Sequence, residues 1–186
     1  MDDYTFYVPT NLLLTEESIS RYKAGGFHPV SLGDTFCDDR YEVHHKLGWG
    51  GFSTVWLARD KLNDIWVSLK INSASEHSRE LENLQRLSHT GSGVYGIVQL
   101  LHHFVHRGPN GDHQCLVFEL LGPSVEFITW DYRDGGDPDQ LDTDTILRIT
   151  AQLLQAVSSI HAAGYVHGGL RAHPSLCLLS DKENRH

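Results

Sequence analysis

A glycine-rich turn between two strand-like runs is the feature that most constrains how this chain folds. Residues 41–47 and 53–58 have the aromatic and β-branched content of strands, and they flank Gly48-Trp49-Gly50-Gly51. This pattern predicts a β-hairpin with an unusually permissive turn. It disfavours the dinucleotide-binding glycine motif, because that loop must open onto a helix. Hairpin geometry alone is a sufficient reason for the glycines, so the turn by itself does not establish a ligand site.

Further strands and a helix follow this hairpin. Residues 65–71 favour a third strand, and residues 97–101 and 114–121 favour two more, with turn residues at 107–112 between them. Between residues 75 and 87 the leucines recur every three positions, which predicts an amphipathic helix. The sequence therefore predicts five antiparallel strands and one helix before residue 122.

The two ends of the chain differ from this region. Residues 1–40 contain loop-forming glycines and prolines, with one short helix near 16–22 as the only expected element. Beyond a loop at 131–144, apolar residues recur every three or four positions, which predicts a second helix with one apolar stripe. The stripe consists of Ile146, Ile149, Leu153, Val157 and Ile160.

Composition excludes several classes of function. The net charge of −9, with no basic patch, argues against nucleic-acid binding. No apolar run approaches the roughly 18 residues that span a bilayer, so we expect no membrane association. Three cysteines without CxxC spacing and 13 scattered histidines without HExxH give no basis for a disulfide framework or a metal site. We expect a cytoplasmic or nuclear protein.

The order of motifs resembles that of eukaryotic protein kinases. A glycine loop joins two strands, a third strand carries Lys70, a helix carries Glu80, and His167 follows much later. The closer resemblance is to the SR-protein kinases, particularly the fungal ones. It rests on YKAGGFHPV at residues 22–30, LGWGGFSTVWLARD at 47–60, HRGPNG at 106–111 and CLVFELLG at 115–122.

The resemblance implies an α+β, protein-kinase-like fold. Residues 1–40 would be an N-terminal extension, and residues 41–121 the complete small, ATP-binding lobe. Residues 122–186 would form the hinge and part of the helical large lobe, with a truncation at the catalytic loop.

The resemblance also implies an ATP site. Backbone N–H groups of the glycine loop would bind the phosphates, Leu47 and Val55 would enclose the adenine, and Lys70 would bridge the α- and β-phosphates. Glu80 would pair with Lys70, and Glu82 is the competing residue. The implied set is Leu47, Gly48, Trp49, Gly50, Gly51, Phe52, Ser53, Thr54, Val55, Lys70, Glu80, Phe118 at the back of the pocket, and Glu119 and Leu121 in the hinge.

The catalytic loop departs from the family pattern. His167, a structural residue by resemblance, is followed by Gly168-Gly169, so Gly169 occupies the place of the aspartate that accepts the substrate proton. Pro174 occupies the place of a magnesium-binding asparagine, and no Asp-Phe-Gly follows within the 186 residues. Mg²⁺ is expected for the family, but its ligands are missing here. We therefore expect impaired phosphoryl transfer.

Three functions remain open: an ATP-binding member of the serine/threonine kinase family, a pseudokinase-like binding module, and a truncated or misassembled gene product. By resemblance the partners would be ATP and serine/arginine-rich proteins. The apolar stripe of the second helix, deprived of the large-lobe helices that normally cover it, would favour self-association.

Overall fold

The computed structural model describes residues 17–75, 79–89, 97–122 and 143–165. The chain divides into two compact units, one of residues 1–77 and 102–117 and the other of residues 78–101 and 118–186. The described ranges contain a 3-10 turn at Ile19–Arg21, six strands and two α-helices. Their bounds are β1 Thr35–Phe36, β2 Tyr41–Trp49, β3 Ser53–Asp60, β4 Ile65–Asn72, α1 Glu80–His89, β5 Leu100–Gly108, β6 Gly111–Glu119 and α2 Thr143–Ala162.

The strands form one sheet in the order β1-β2-β3-β4-β6-β5, and β1 to β4 pair antiparallel with their neighbours. The α+β arrangement expected from the sequence is confirmed. The predicted strand count of five was wrong by one, because β1 adds a sixth in the described residues. The strand expected at 97–101 was also misplaced, since β5 begins only at Leu100 and continues to Gly108. The predicted turn at 107–112 is also narrower, since β5 continues to Gly108 and β6 begins at Gly111.

The core lies on one face of this sheet, as the alternation of buried and partly exposed residues along its central strands shows. Trp56 and Ala58 of β3 and Val67, Leu69 and Ile71 of β4 are all buried, whereas the residues between them are partly exposed. This period of two follows from side chains pointing to opposite faces of a strand. The same core includes Phe36, Tyr41, Val43, Cys115 and Val117.

The extra strand β1 is joined to β2 by a turn without glycine or proline. Cys37, Asp38 and Asp39 have φ values of 55°, 52° and 63°, in the left-handed region that side chains other than glycine rarely adopt. Thr35 donates its hydroxyl to the Asp39 carboxylate at 2.6 Å, and this bond supports the turn. The turn places Phe36, which is only 2% exposed, in the core. Residues that were expected to form only loops thus supply part of the core.

A buried ion pair closes the turn between β3 and β4. The Asp60 carboxylate accepts hydrogen bonds from Arg40 Nε at 2.9 Å and Nη2 at 2.8 Å, and also from the Leu62 amide and the Asn63 side chain. The side chain of Asp60 is 3% exposed and that of Arg40 23%. The Arg40 hydrogen bonds are the main reason that the pKa of Asp60 falls to about 2.

Three histidines pack edge to face beside this core. The His28 ring centroid lies 4.6 Å from that of His106 and 5.0 Å from that of His113. Burial, together with the charges of the other two histidines, lowers the pKa of His28 to about 4, so His28 is neutral at pH 7. A Cβ on Gly108 would lie 2.2 Å from His28 Nδ1, so glycine is required there.

The second unit contains both helices. The C-terminus of α2 has a Schellman motif, in which the Gly164 amide donates to the His161 carbonyl and the Tyr165 amide to the Ile160 carbonyl. Gly164 adopts the required left-handed φ of 82°. None of the helices in the described ranges combines the length and apolar character needed to cross a bilayer.

Candidate functional site

The glycine loop, residues 48–53, is the turn of the β2–β3 hairpin. The Gly50 amide donates to the Ser53 carbonyl at 2.8 Å and closes the turn. Its tip is also tied to the end of β4, because the Ser73 amide donates to the Phe52 carbonyl at 2.8 Å. The expected strand, glycine loop and strand are therefore present, in the order that the sequence predicts.

Irregular pairing precedes the loop. The register between β2 and β3 shifts between Val43 and His45 and again between Lys46 and Gly48, so β2 carries two extra residues. Such bulges change the direction of the side chains around them. The second shift leaves Leu47 46% exposed and aligns Gly48 with Val55.

The chain itself does not require glycine in this loop. Gly48, Gly50 and Gly51 are not among the residues with left-handed φ. A Cβ on Gly48 or Gly51 would have no neighbour within 4 Å, and a Cβ on Gly50 would make only ordinary contact, 3.8 Å, with Ser53 Oγ. Gly26 differs, because a Cβ there would lie 1.9 Å from a backbone oxygen. The loop glycines thus leave open space that no described part of the chain fills.

Val55 and Lys70 lie beside the loop on the face opposite the core. They are direct partners in the β3–β4 register, and directly opposed residues project from the same face. Both are half-buried, and their strand neighbours Trp56 and Leu69 point to the core. The structure therefore brings together the glycine loop, one predicted adenine contact and the predicted phosphate-binding lysine.

The other predicted members of the loop differ in exposure. Trp49 and Phe52 are 41% and 66% exposed, whereas Ser53 is buried. Thr54 is completely buried, and its hydroxyl accepts a hydrogen bond from Trp56 Nε1 at 3.0 Å. Thr54 therefore contributes to the core, and a direct contact of its side chain with a ligand stays a prediction.

Sequence reasoning missed Arg21, which contacts the loop from the N-terminal segment. Arg21 Nη1 donates to the carbonyls of Gly51 at 2.6 Å and Gly50 at 3.2 Å. Its guanidinium lies 5.3 Å from the ring centroid of Phe27 and 6.0 Å from that of Trp49. The two partners are about thirty positions away in sequence, and no motif links them. Only the folded chain identifies this contact.

A second contact joins the same N-terminal segment to β2. The Glu17 carboxylate accepts hydrogen bonds from Lys46 Nζ and from the Tyr22 hydroxyl, and the Glu17 side chain is 2% exposed. Burial opposes ionisation of Glu17, but these two hydrogen bonds, a backbone hydrogen bond and the charge of Lys46 together outweigh it and hold the pKa of the carboxyl below its usual value. The segment is therefore fixed to the hairpin at two points.

The remaining predicted site residues within the described ranges belong to the second unit. Glu80 is the first residue of α1 and half-buried, whereas the competing Glu82 is exposed. Phe118 is 8% exposed, and Leu121 is half-buried. Glu119 pairs with Gln99, accepting its amide at Oε1 at 2.9 Å and donating its own amide to the Gln99 carbonyl. Their roles in nucleotide binding stay predictions.

The catalytic-loop positions lie outside the described residues. These positions are His167, Gly168, Gly169 and Pro174. Within the described ranges, no group of three or more His, Cys, Asp or Glu side chains is arranged to hold a metal ion.

The chain is similar to several protein kinases. It is 37% identical over 180 residues to protein kinase dsk1 of Schizosaccharomyces pombe, covering 92% of this chain and 32% of that protein. It is 36% identical over 182 residues to serine/threonine-protein kinase SKY1 of Saccharomyces cerevisiae, covering 90% and 24%. Over 117 residues it is 43% identical to serine/threonine-protein kinase SRPK of Physarum polycephalum, covering 59% and 27%. The chain thus spans about a third or less of these curated relatives. No protein-family model matches it.

Proposed function

The chain belongs to the SR-protein kinase family, and on that premise we propose that it binds ATP on the sheet face that carries Val55 and Lys70. The phosphates would lie against the backbone of the glycine loop, with the Lys70 ammonium as their counter-charge. Backbone N–H groups and a lysine are the groups that kinases use for this purpose.

The observation that supports this proposal most directly is the open space at Gly48, Gly50 and Gly51. Neither backbone conformation nor packing demands glycine at these positions. Glycine there leaves the backbone accessible, and close approach of a ligand to backbone N–H groups needs that access. The size and charge of a nucleotide phosphate suit such a surface beside a lysine.

Calorimetric titration of the chain with ATP tests this proposal. We expect Lys70→Met to weaken ATP binding by about tenfold or more, because a charge-assisted contact with phosphate is lost. Lys61→Met is the matched control, since Lys61 lies at the β3–β4 turn, paired with Glu42 at 3.1 Å. An affinity for ATP that is equal in the two variants would contradict the assignment of Lys70.

A second function, a pseudokinase-like binding module, is favoured by the residue at position 169. In phosphoryl transfer the serine hydroxyl oxygen bonds to the γ-phosphorus, the bond to the ADP oxygen breaks, and the hydroxyl proton passes to a base. Gly169 has no side chain to accept that proton, and loss of a positioned base costs roughly 10²–10⁴ in rate. Transfer of labelled phosphate to a serine/arginine-rich peptide, with Gly169→Asp alongside, distinguishes the two functions. Substantial phosphate transfer by the unmodified chain would refute the proposal that it is a pseudokinase-like binding module.

Serine/arginine-rich proteins are the proposed substrates or binding partners, and they follow from the family alone.

Self-association is proposed for α2, where Ile146, Leu147 and Leu154 are 45%, 60% and 64% exposed. The stripe expected from the sequence is otherwise half-buried at Ile149, Leu153, Val157 and Ile160. Sedimentation velocity across a range of concentrations tests for it, and a monomer at every concentration would refute self-association.

A further inference from the structure

We infer that Arg21 is a positioning residue for the nucleotide phosphates: it fixes the two peptide groups at the tip of the glycine loop so that their N–H groups point to the ligand. The inference rests on the proposed ATP site and adds to it a residue outside every kinase motif identified in the sequence. Arg21 reaches the loop from the N-terminal segment, which was expected to be an extension.

The geometry of the peptide bond determines where the N–H groups of the loop point. Arg21 Nη1 binds the carbonyl oxygens of Gly50 and Gly51 at 3.2 Å and 2.6 Å. In a trans peptide the C=O and the following N–H point in opposite directions. Because both carbonyls point towards Arg21, the N–H groups of Gly51 and Phe52 point away from it.

The strand register indicates which face Arg21 occupies. The guanidinium lies over the Trp49 ring, and Trp49 pairs with Thr54, whose side chain lies on the core face with that of Trp56. Gly48 and Val55, the adjacent pair, belong to the other face, as does Lys70. The Gly51 and Phe52 N–H groups therefore point to the side of the hairpin on which Lys70 lies.

Arg21 is itself held in place by the fold. Its amide donates to the Ser18 carbonyl at 3.0 Å, and its carbonyl accepts the Phe27 amide at 2.8 Å. The Phe27 ring lies 5.3 Å from the guanidinium, and Phe27 is 2% exposed. Less side-chain entropy is lost when such a pre-ordered guanidinium binds the loop. The loop would therefore keep its phosphate-binding conformation before ATP arrives.

Arg21→Met is the main test, because it keeps an unbranched stem against Phe27 and Trp49 but removes the donors. We expect the affinity for ATP to fall about tenfold, because the loop must then be ordered when ATP binds, while the affinity for adenosine stays unchanged. Arg21→Lys, which retains a cationic donor, should recover part of the loss. Arg59→Met is the matched control: Arg59 also lies over a tryptophan, 5.1 Å from the Trp66 ring, and pairs with Asp64 at the β3–β4 turn.

Two results of these titrations would overturn the inference. One is ATP affinity in Arg21→Met equal to that of the unmodified chain. The other is an equal loss for ATP and adenosine together with a lower melting midpoint, since that pattern marks general destabilisation. In the unmodified chain the amide NMR signals of Gly51 and Phe52 should shift with ATP and not with adenosine, and unmoved signals would also overturn it. Failure of the proposed ATP site is distinguishable, because the unmodified chain would then bind no ATP or would be insensitive to Lys70→Met.

Discussion

Replacing Arg40 with methionine should destabilise the first unit strongly, because it leaves the Asp60 carboxylate buried without its cation. Asp60 is 3% exposed and loses two of its hydrogen bonds, those at 2.9 Å and 2.8 Å. Its pKa of about 2, compared with the ordinary 3.8, corresponds to about 2 kcal/mol of stabilisation at neutral pH. Breaking a buried pair by removing one partner costs about 3–5 kcal/mol. We expect the free energy of unfolding to fall by about 2–4 kcal/mol.

Urea unfolding followed by tryptophan fluorescence measures this change, since Trp56 is 6% exposed in the folded chain. Arg107→Met is the matched control. Arg107 binds Asp112 through the same Nε atom at the same distance, 2.9 Å, but the two side chains are 86% and 56% exposed. A solvated pair of this kind contributes little, so the unfolding midpoint of the control should not change detectably.

Two further comparisons sharpen the test. Asp60→Asn in the Arg40→Met background removes the unpaired charge and keeps an oxygen for the Leu62 amide, so it should restore part of the stability. A depressed carboxyl pKa contributes stability that is present above 3.8 and is lost as the pH falls towards 2. The difference between the unmodified chain and Arg40→Met should therefore shrink below about pH 3.8. Destabilisation no larger than that of Arg107→Met would refute the reasoning.

Two other predictions concern the histidine cluster. Burial beside His106 and His113 lowers the pKa of His28 from 6.5 to about 4, so between these values the unfolded chain binds a proton that the folded chain does not. The free energy of unfolding should therefore fall by about 1.4 kcal/mol for each unit by which the pH falls from 6.5 to 4. Urea unfolding at several pH values should show a shallower slope for His28→Phe, and an unchanged slope would contradict this. Gly108→Ala should lower the free energy of unfolding in urea by about 1–3 kcal/mol, because its Cβ would lie 2.2 Å from His28 Nδ1. Adding His28→Ala should relieve part of that cost, so strictly additive losses of stability in the double variant would contradict the clash.

The regular elements could be predicted because their patterns are local. The alternation in β3 and β4 reflects one buried face, and the three- and four-residue spacing in α2 reflects the helical period, so residues close in sequence contain the whole signal. The glycine loop was identified from a short run between two strands, and Lys70 from the order of motifs that resembles a kinase. Their side-by-side placement follows once β3 and β4 pair in the observed register.

The elements that sequence reasoning missed depend on distant contacts or on unusual conformations. The turn before β2 places three non-glycine residues, Cys37 to Asp39, at positive φ. The two aspartates are ordinary turn residues, but they do not show that a two-residue strand, β1, precedes them. Arg21 binds carbonyl groups about thirty positions away, and a lone arginine in a loop-like segment is ordinarily solvated. Both features become visible only when the N-terminal segment is packed on the sheet.

The two faces of the β2–β3 hairpin differ in a way that supports a ligand on only one of them. On the core face the chain supplies its own partners: Trp56 binds the Thr54 hydroxyl, Lys46 binds Glu17, and Arg21 binds the loop carbonyls. On the other face, to which Gly48 belongs through its pairing with Val55, a Cβ at Gly48 would meet nothing within 4 Å. Reversing the direction of the chain requires neither fixed carbonyl groups nor uncrowded glycines. The combination is useful if the opposing N–H groups bind an anion, so the same hairpin accounts for both the proposed ATP site and the role of Arg21.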